Sequence, residues 1–175
     1  MIDPRAIVID ASTALSIVLK EPEGPAVTAA ITQWTKEGAR LIVPSHFWLE
    51  VTNALTRGRR WGGGAVLAAI HDLDQMGIET VILDRAMLVL VIDLGERHGL
   101  SAYDAAYLAL AASWDASLVT LDSALQQAAG TRAIHIGPAR LSETPAPYEH
   151  VATWPSYKGA SAYLAKLRAE AARPG

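Results

Sequence analysis

The 175-residue sequence predicts an α/β protein, a three-layer α/β/α sandwich around a central parallel sheet. Short β-branched apolar runs alternate along the chain with longer stretches of helical pattern, the signature of βαβ units. Half of the residues are hydrophobic (51%), which supplies a sizeable core, and only 19% are charged, which excludes wholesale disorder. Right-handed crossovers then wind such units into a sheet with helices on both faces.

The elements follow in order. "AIVID" (Ala6 to Asp10) reads as a buried strand, and "ASTALSIVLK" as a helix stopped by "EPEGP". A second helix fills "AVTAAITQWTKEG" and ends at Gly38. "RLIV" is the next strand; "PSHFWLEVTNALTRGRR" is a helix opening with Pro44 and Ser45, a favoured start. "AVLAAIHDLDQMG" is a helix between "GGG" and Gly77, and "ETVIL" is a strand. Asp84 is placed to cap "RAMLVLVIDLGERHG". Helix "AYDAAYLALAASWD", strand "SLVTL", helix "DSALQQAAG" and strand "TRAIHI" complete the series. From Gly137 the chain turns rich in proline and turn formers, which predicts a linker, and "ASAYLAKLRAEAARPG" predicts an accessory amphipathic tail helix.

Composition narrows the chemistry. The net charge of -3 gives no general pull toward nucleic acid, so any such contact needs a local patch or a bound cation. There are no cysteines, which excludes disulfides, thiolate zinc sites and cysteine nucleophiles. "MIDPRAIVID" lacks the basic and apolar run of a signal peptide, and no stretch is long and apolar enough to span a bilayer. The expectation is a soluble, cytoplasmic protein without membrane association.

Four acids stand out against this apolar background. Asp10 and Asp122 each end a strand and begin a helix, where an aspartate caps free N–H groups for about 1 kcal/mol. Asp104 has a capping reading too: "SAYD" forms a capping box, with Ser101 as the cap and Asp104 reaching back. Glu50 lies inside a helix, where no cap is needed, on a face shared with Phe47, Val51 and Ala54. A carboxylate on that stripe must be paired, exposed at the rim or bound to a cation. Asp104 shares a face with Leu108 and Ala111 and so leans toward the sheet.

Ligands of open parallel sheets bind beyond the carboxyl ends of the strands, where Asp10 and Asp122 sit. Two unit charges about 4 Å apart repel by about 4 kcal/mol at an effective dielectric of 20, so clustered carboxylates call for a cation. Oxygen-only ligands suit Mg2+ or Mn2+. Ser12 and Thr120, each two residues from a strand-end acid, are placed to orient a carboxylate or a metal-bound water.

"VIDASTAL", "VPSHFWLEVTNAL", "LSAYDAAYLALA" and "LVTLDSAL" resemble, in order and spacing, the four acidic motifs of PIN-domain ribonucleases, most closely the VapC-type toxins of toxin–antitoxin pairs. The resemblance covers roughly Ile7 to Ile136. It implies a PIN-like nuclease domain over residues 1–137; the linker and accessory tail helix expected in 138–175 lie outside the match. It implies metal binding by Asp10, Glu50, Asp104 and Asp122, with Ser12 and Thr120 as catalytic helpers, and Mg2+ or Mn2+ as cofactor. It also implies an RNA substrate, a homodimer and inhibition by a small antitoxin. For the dimer, Trp48, Leu49 and Trp61 are expected at a surface.

"RGRRWGGG" sets Arg57, Arg59, Arg60 and Trp61 at a helix end. They read either as charges complementing the helix dipole or as a rim that binds RNA phosphates, with Trp61 stacking on a base. Gly62 to Gly64 lack the Lys and Ser/Thr of a P-loop and read as a hinge. The five histidines show no metal-ligand spacing and read as structural or surface residues; Trp34, Trp48 and Trp114 read as core or interface. Two rivals to the ribonuclease remain: a catalytically silent PIN-like binding module, and an aspartate-based phosphatase. The latter wants D-x-D, where this chain has Ser12 after Asp10, and it would leave Glu50 without a role.

Overall fold

The first strand lies at the centre of the molecule. In the computed structural model, which describes residues 6–137, β1 (Ala6–Ile9) pairs in parallel with β2 (Arg40–Pro44) on one side and β4 (Ser117–Val119) on the other. β3 (Glu79–Val81) and β5 (Ala133–Ile134) complete a parallel sheet of order β3-β2-β1-β4-β5. The chain steps outward from β1 to β3, then crosses back to β4, so the order reverses beside β1. That reversal is the switch point at which such sheets open a crevice.

Helices cover the sheet in two groups. α1 (Ala11–Val18) packs on α2 (Gly24–Lys36) and on α3 (Phe47–Asn53), which in turn contacts α4 (Gly63–Asp74). The second group is α5 (Arg85–His98), α6 (Ala102–Ser113) and α7 (Ser123–Ala129), with α6 lying against β1, β2 and β4. This is the predicted α/β/α sandwich. The core is made by the strand residues Ile7, Val8, Ile9, Leu41, Ile42, Val43, Leu118 and Val119, all fully buried, with Phe47, Val51 and Leu55 from one side and Ala105 to Ala111 from the other. Fully apolar strands of this kind suit a sheet covered on both faces.

Local chemistry sets most helix ends as expected. Asp84 caps α5 by accepting from the Met87 N–H at 2.8 Å, and α5 ends at Gly99, whose φ of 64° suits the left-handed stop. Gly24, at the first position of α2, is required by contact: a Cβ there would meet the Ser16 carbonyl oxygen at 2.5 Å.

Other expectations are corrected. Pro44 ends β2, in register with Val81, rather than opening a helix; the Ser45 N–H continues the ladder to the Val81 carbonyl, and α3 starts at Phe47. Pairing with β3 decides this point, which local helix signals cannot anticipate. The helix after β2 also does not run regularly to Arg60: it widens into a π-helical turn over Ala54–Gly58. Gly62 to Gly64 form no hinge; Gly62 is the N-cap of α4 and the other two open its first turn. Strands β3, β4 and β5 are shorter than "ETVIL", "SLVTL" and "TRAIHI", because their outer residues pass into loops or a 3-10 turn. Trp34 is core, but Trp114 is partly exposed with the Arg40 guanidinium 5.0 Å above its ring. The linker and tail helix fall outside the described residues.

Candidate functional site

β1 delivers Asp10 to the crevice already folded into a network. Asp10 is the N-cap of α1, so the capping reading is correct as far as it goes. Asp10 is only 5% exposed. Oδ1 accepts from the Thr13 N–H at 2.9 Å and the Thr13 hydroxyl at 2.8 Å; Ser12 Oγ lies 2.8 Å from both oxygens. Thr120, at the end of β4, donates to Oδ2 at 2.6 Å. One buried carboxylate thus takes three hydroxyls and a backbone N–H, and burial still raises its pKa above the ordinary carboxylate value.

The same hydroxyls reach onward. Ser12 Oγ accepts the Leu121 N–H at 3.0 Å, and Thr120 Oγ1 accepts the Asp122 N–H at 3.0 Å. Asp122 caps α7 through the Leu125 N–H at 2.8 Å, and Gln126 Nε2 donates to the Thr120 carbonyl at 2.7 Å. Asp122 is therefore joined to Asp10 through Thr120, while its own carboxylate turns to its helix.

Glu50 and Asp104 arrive from opposite helical layers. Glu50 sits on α3 with its side chain 29% exposed, and Asp104 lies in the first turn of α6. The pKa of Glu50 is raised, first by burial, then by the nearby charges of Asp104 and Asp10; the Tyr107 hydroxyl, which donates to Glu50 Oε2, works the other way. The charges at the end of β1 and in the first turn of α6 therefore bear on the acid of α3 at the switch point. Asp104 does not complete the expected capping box. Ser101 does cap α6, through the Asp104 N–H at 3.2 Å, but its hydroxyl donates to Asp104 Oδ2 at 2.6 Å.

Two neighbours escape notice in the sequence. Tyr107 is 1% exposed and reaches Glu50 across the sheet end. His46, one turn before Glu50, has Nε2 3.7 Å from Glu50 Oε2 with no hydrogen-bond partner, and its ring meets Tyr107 edge-on with centroids 5.0 Å apart. Burial lowers the His46 pKa, against a backbone hydrogen bond to Tyr103 and the charge of Asp104. His46 is thus no surface histidine. For His46 a spacing signal was present, since it lies four residues before Glu50.

The donor set is oxygen only, from carboxylates and hydroxyls, which suits a hard divalent cation. Among the described residues, no three His, Asp or Glu side chains already converge as a ready coordination set. Arg59 pairs with Glu21 at 3.3 Å, Arg57 and Arg60 are exposed, and Trp61 is half-buried against the core. Trp48 is likewise engaged within the chain, its Nε1 donating to Thr80 Oγ1 at 2.8 Å.

Residues 7–131 match the family model of the PIN domain. The chain belongs to the PIN domain family. No curated protein sequence matches it. Among solved structures, this PIN domain is similar to PAE2754 of Pyrobaculum aerophilum, with 24% identity over 71% of this chain and 84% of that one, and a TM-score of 0.52. VapC20 of Mycobacterium tuberculosis, a sarcin–ricin loop cleaving toxin, is 16% identical over 70% and 94% of the two chains, with a TM-score of 0.57. A toxin–antitoxin complex from Klebsiella pneumoniae is 15% identical over 74% and 96%, also with a TM-score of 0.57. These likenesses bear on the PIN fold. No helix of the described domain is long and apolar enough to cross a membrane.

Proposed function

We propose that this PIN domain is a Mg2+- or Mn2+-dependent endoribonuclease acting as the toxin of a toxin–antitoxin pair. The observation that carries the reading is the placing of Asp10, Glu50 and Asp104, from a strand end and two helices, at one end of the sheet, with Asp10 held in a hydroxyl network and Glu50 held by Tyr107. Like charges are held together where a cation is to be bound. Family membership and the toxins among its structural neighbours support the same reading.

Asp10, Glu50, Asp104 and Asp122 are the proposed metal ligands. A divalent cation held by these residues would supply activation of a water for in-line attack on a phosphodiester and stabilisation of the departing oxygen. Ser12 and Thr120 orient Asp10, whose Oδ2 keeps more acceptor capacity than Oδ1. One of these four acids would accept the proton of that water. Arg57, Arg59 and Arg60 contact phosphates of the RNA, with Trp61 at the rim. The antitoxin covers the crevice and brings an Arg whose fork pairs with the acids. In the proposed homodimer Leu49, exposed at 73%, supplies the expected apolar surface together with Ile82 (81%), while Trp48 and Trp61 pack within the chain. The nuclease unit spans residues 1–137, in the cytoplasm, and the tail is accessory to catalysis.

The test is to sequence the RNA ends produced on induction without the partner and to repeat the cleavage with purified protein. Discrete cuts that vanish on chelation, and in Glu50→Gln and Asp104→Asn, are expected. Cleavage that survives exhaustive chelation overturns the reading, and inert protein with an intact fold leaves the binding module in its place.

A further inference from the structure

We propose that Tyr107 is a positioning residue for Glu50: its hydroxyl fixes the carboxylate through Oε2 so that the helix-borne acid faces Asp10 and Asp104 in one orientation. The inference rests on the reading of Glu50 as a cation-binding carboxylate.

A buried phenol must place its hydroxyl on a partner. Tyr107 is 1% exposed, and its hydroxyl donates to Glu50 Oε2 on α3. That contact ties the helix that carries Glu50 to α6, which itself lies against β1, the strand that ends at Asp10. His46 faces the same Oε2 from 3.7 Å and packs edge-on against the Tyr107 ring, so both neighbours act on one oxygen of the carboxylate. Oε1 is engaged by neither.

The chemistry of the partner points to positioning. A glutamate has a long, rotamer-rich side chain, and holding it costs conformational entropy unless a contact fixes it. An arginine or lysine at position 107 would fix it too, but would neutralise the charge and compete with a cation. A phenol holds the carboxylate and leaves its charge in place. The alternative, in which Glu50 exists only to satisfy the Tyr107 hydroxyl, predicts that the two act on stability alone.

The two are separated by calorimetric titration of Mn2+ into chelator-treated full-length protein: wild type, Tyr107→Phe, Glu50→Gln and the double variant. Loss of a group that orients a metal ligand costs about 10- to 100-fold in affinity, and that increase in Kd is expected for Tyr107→Phe. In the Glu50→Gln background the same substitution is expected to change Kd no further. A wild-type Kd in Tyr107→Phe, or an equal loss in both backgrounds, overturns the proposal alone. A wild-type Kd in Glu50→Gln overturns the cation reading, and the proposal with it. Should Tyr107→Phe fail to fold, Glu50→Asp carries the test: it keeps the charge and Tyr107 but shortens the reach by one methylene. A comparable loss of affinity supports positioning, and a wild-type Kd in Glu50→Asp overturns it.

Discussion

The Thr120 hydroxyl donates to Asp10 Oδ2 at 2.6 Å, joining the ends of β4 and β1 by side chains beside the point where the strand order reverses. Backbone pairing alone does not hold this corner. The Thr13 hydroxyl lies between Asp10 Oδ1 at 2.8 Å and the Val119 carbonyl at 3.0 Å and shares its one proton between them, and Ser12 reaches the loop after β4.

Thr120→Val is expected to lower the unfolding free energy by about 1–3 kcal/mol, since it strips a buried donor from Asp10 and an acceptor from the Asp122 N–H. Thr120→Ser keeps the hydroxyl and is expected to retain most of the stability. Urea denaturation of both variants checks this; equal stability of Val and Ser would show that the bridge contributes nothing.

Asp10→Asn and Glu50→Gln are expected to move stability in different directions. In Asp10→Asn one acceptor oxygen becomes an amino group facing hydroxyl donors, at a cost of about 1–3 kcal/mol. In Glu50→Gln the amide oxygen still accepts from Tyr107 and a half-buried charge is removed, so the metal-free melting temperature is expected to hold or rise. Calorimetric melts in chelator decide it, and a fall in Glu50→Gln as large as that in Asp10→Asn would contradict it.

The pH dependence follows from the same acids. Burial raises the pKa of Asp10 and Glu50, and neighbouring carboxylates add to this at Glu50. Protons are then bound more tightly in the folded than in the unfolded state. The stability this contributes is fully present below the ordinary carboxylate values near 4 and is lost as pH rises through the raised ones. Metal-free wild type is expected to lose melting temperature, relative to Glu50→Gln, between mildly acidic and neutral pH. Saturating Mg2+ is expected to remove the difference. Parallel curves for the two proteins in chelator would refute the shift at Glu50.

Gly24→Ala tests the packing of α2 on α1. Its Cβ would sit 2.5 Å from the Ser16 backbone carbonyl, which cannot yield without moving the end of α1. A loss of about 1–3 kcal/mol is expected, as for other overpacked sites. An unchanged urea midpoint would mean that the two helices part freely there.

The sequence announced the strand-end acids because capping and ligation use the same positions: Asp10, Asp84 and Asp122 all cap as their places suggest. Ser12 and Thr120 were legible from their two-residue spacing to an acid. Thr13 was not, because a threonine in a first helical turn resembles any other. Tyr107 was hidden because every residue from Ala105 to Ala111 is buried, so α6 has no polar face to set it apart. Pro44 misled because its place in β2 depends on a partner strand more than thirty residues later. The π-helical turn at Ala54 had no residue signal at all. What failed were features settled between elements rather than within one.

The sheet ends in strands of three and two residues, β3 and β5. An outermost strand is a template on which another chain can grow, and its hazard scales with its length. Here each border of the described sheet offers only a residue or two of open ladder, too little to seat an incoming strand. The domain is thereby guarded against runaway cross-β association, and whatever joins it must approach its helices or its loops.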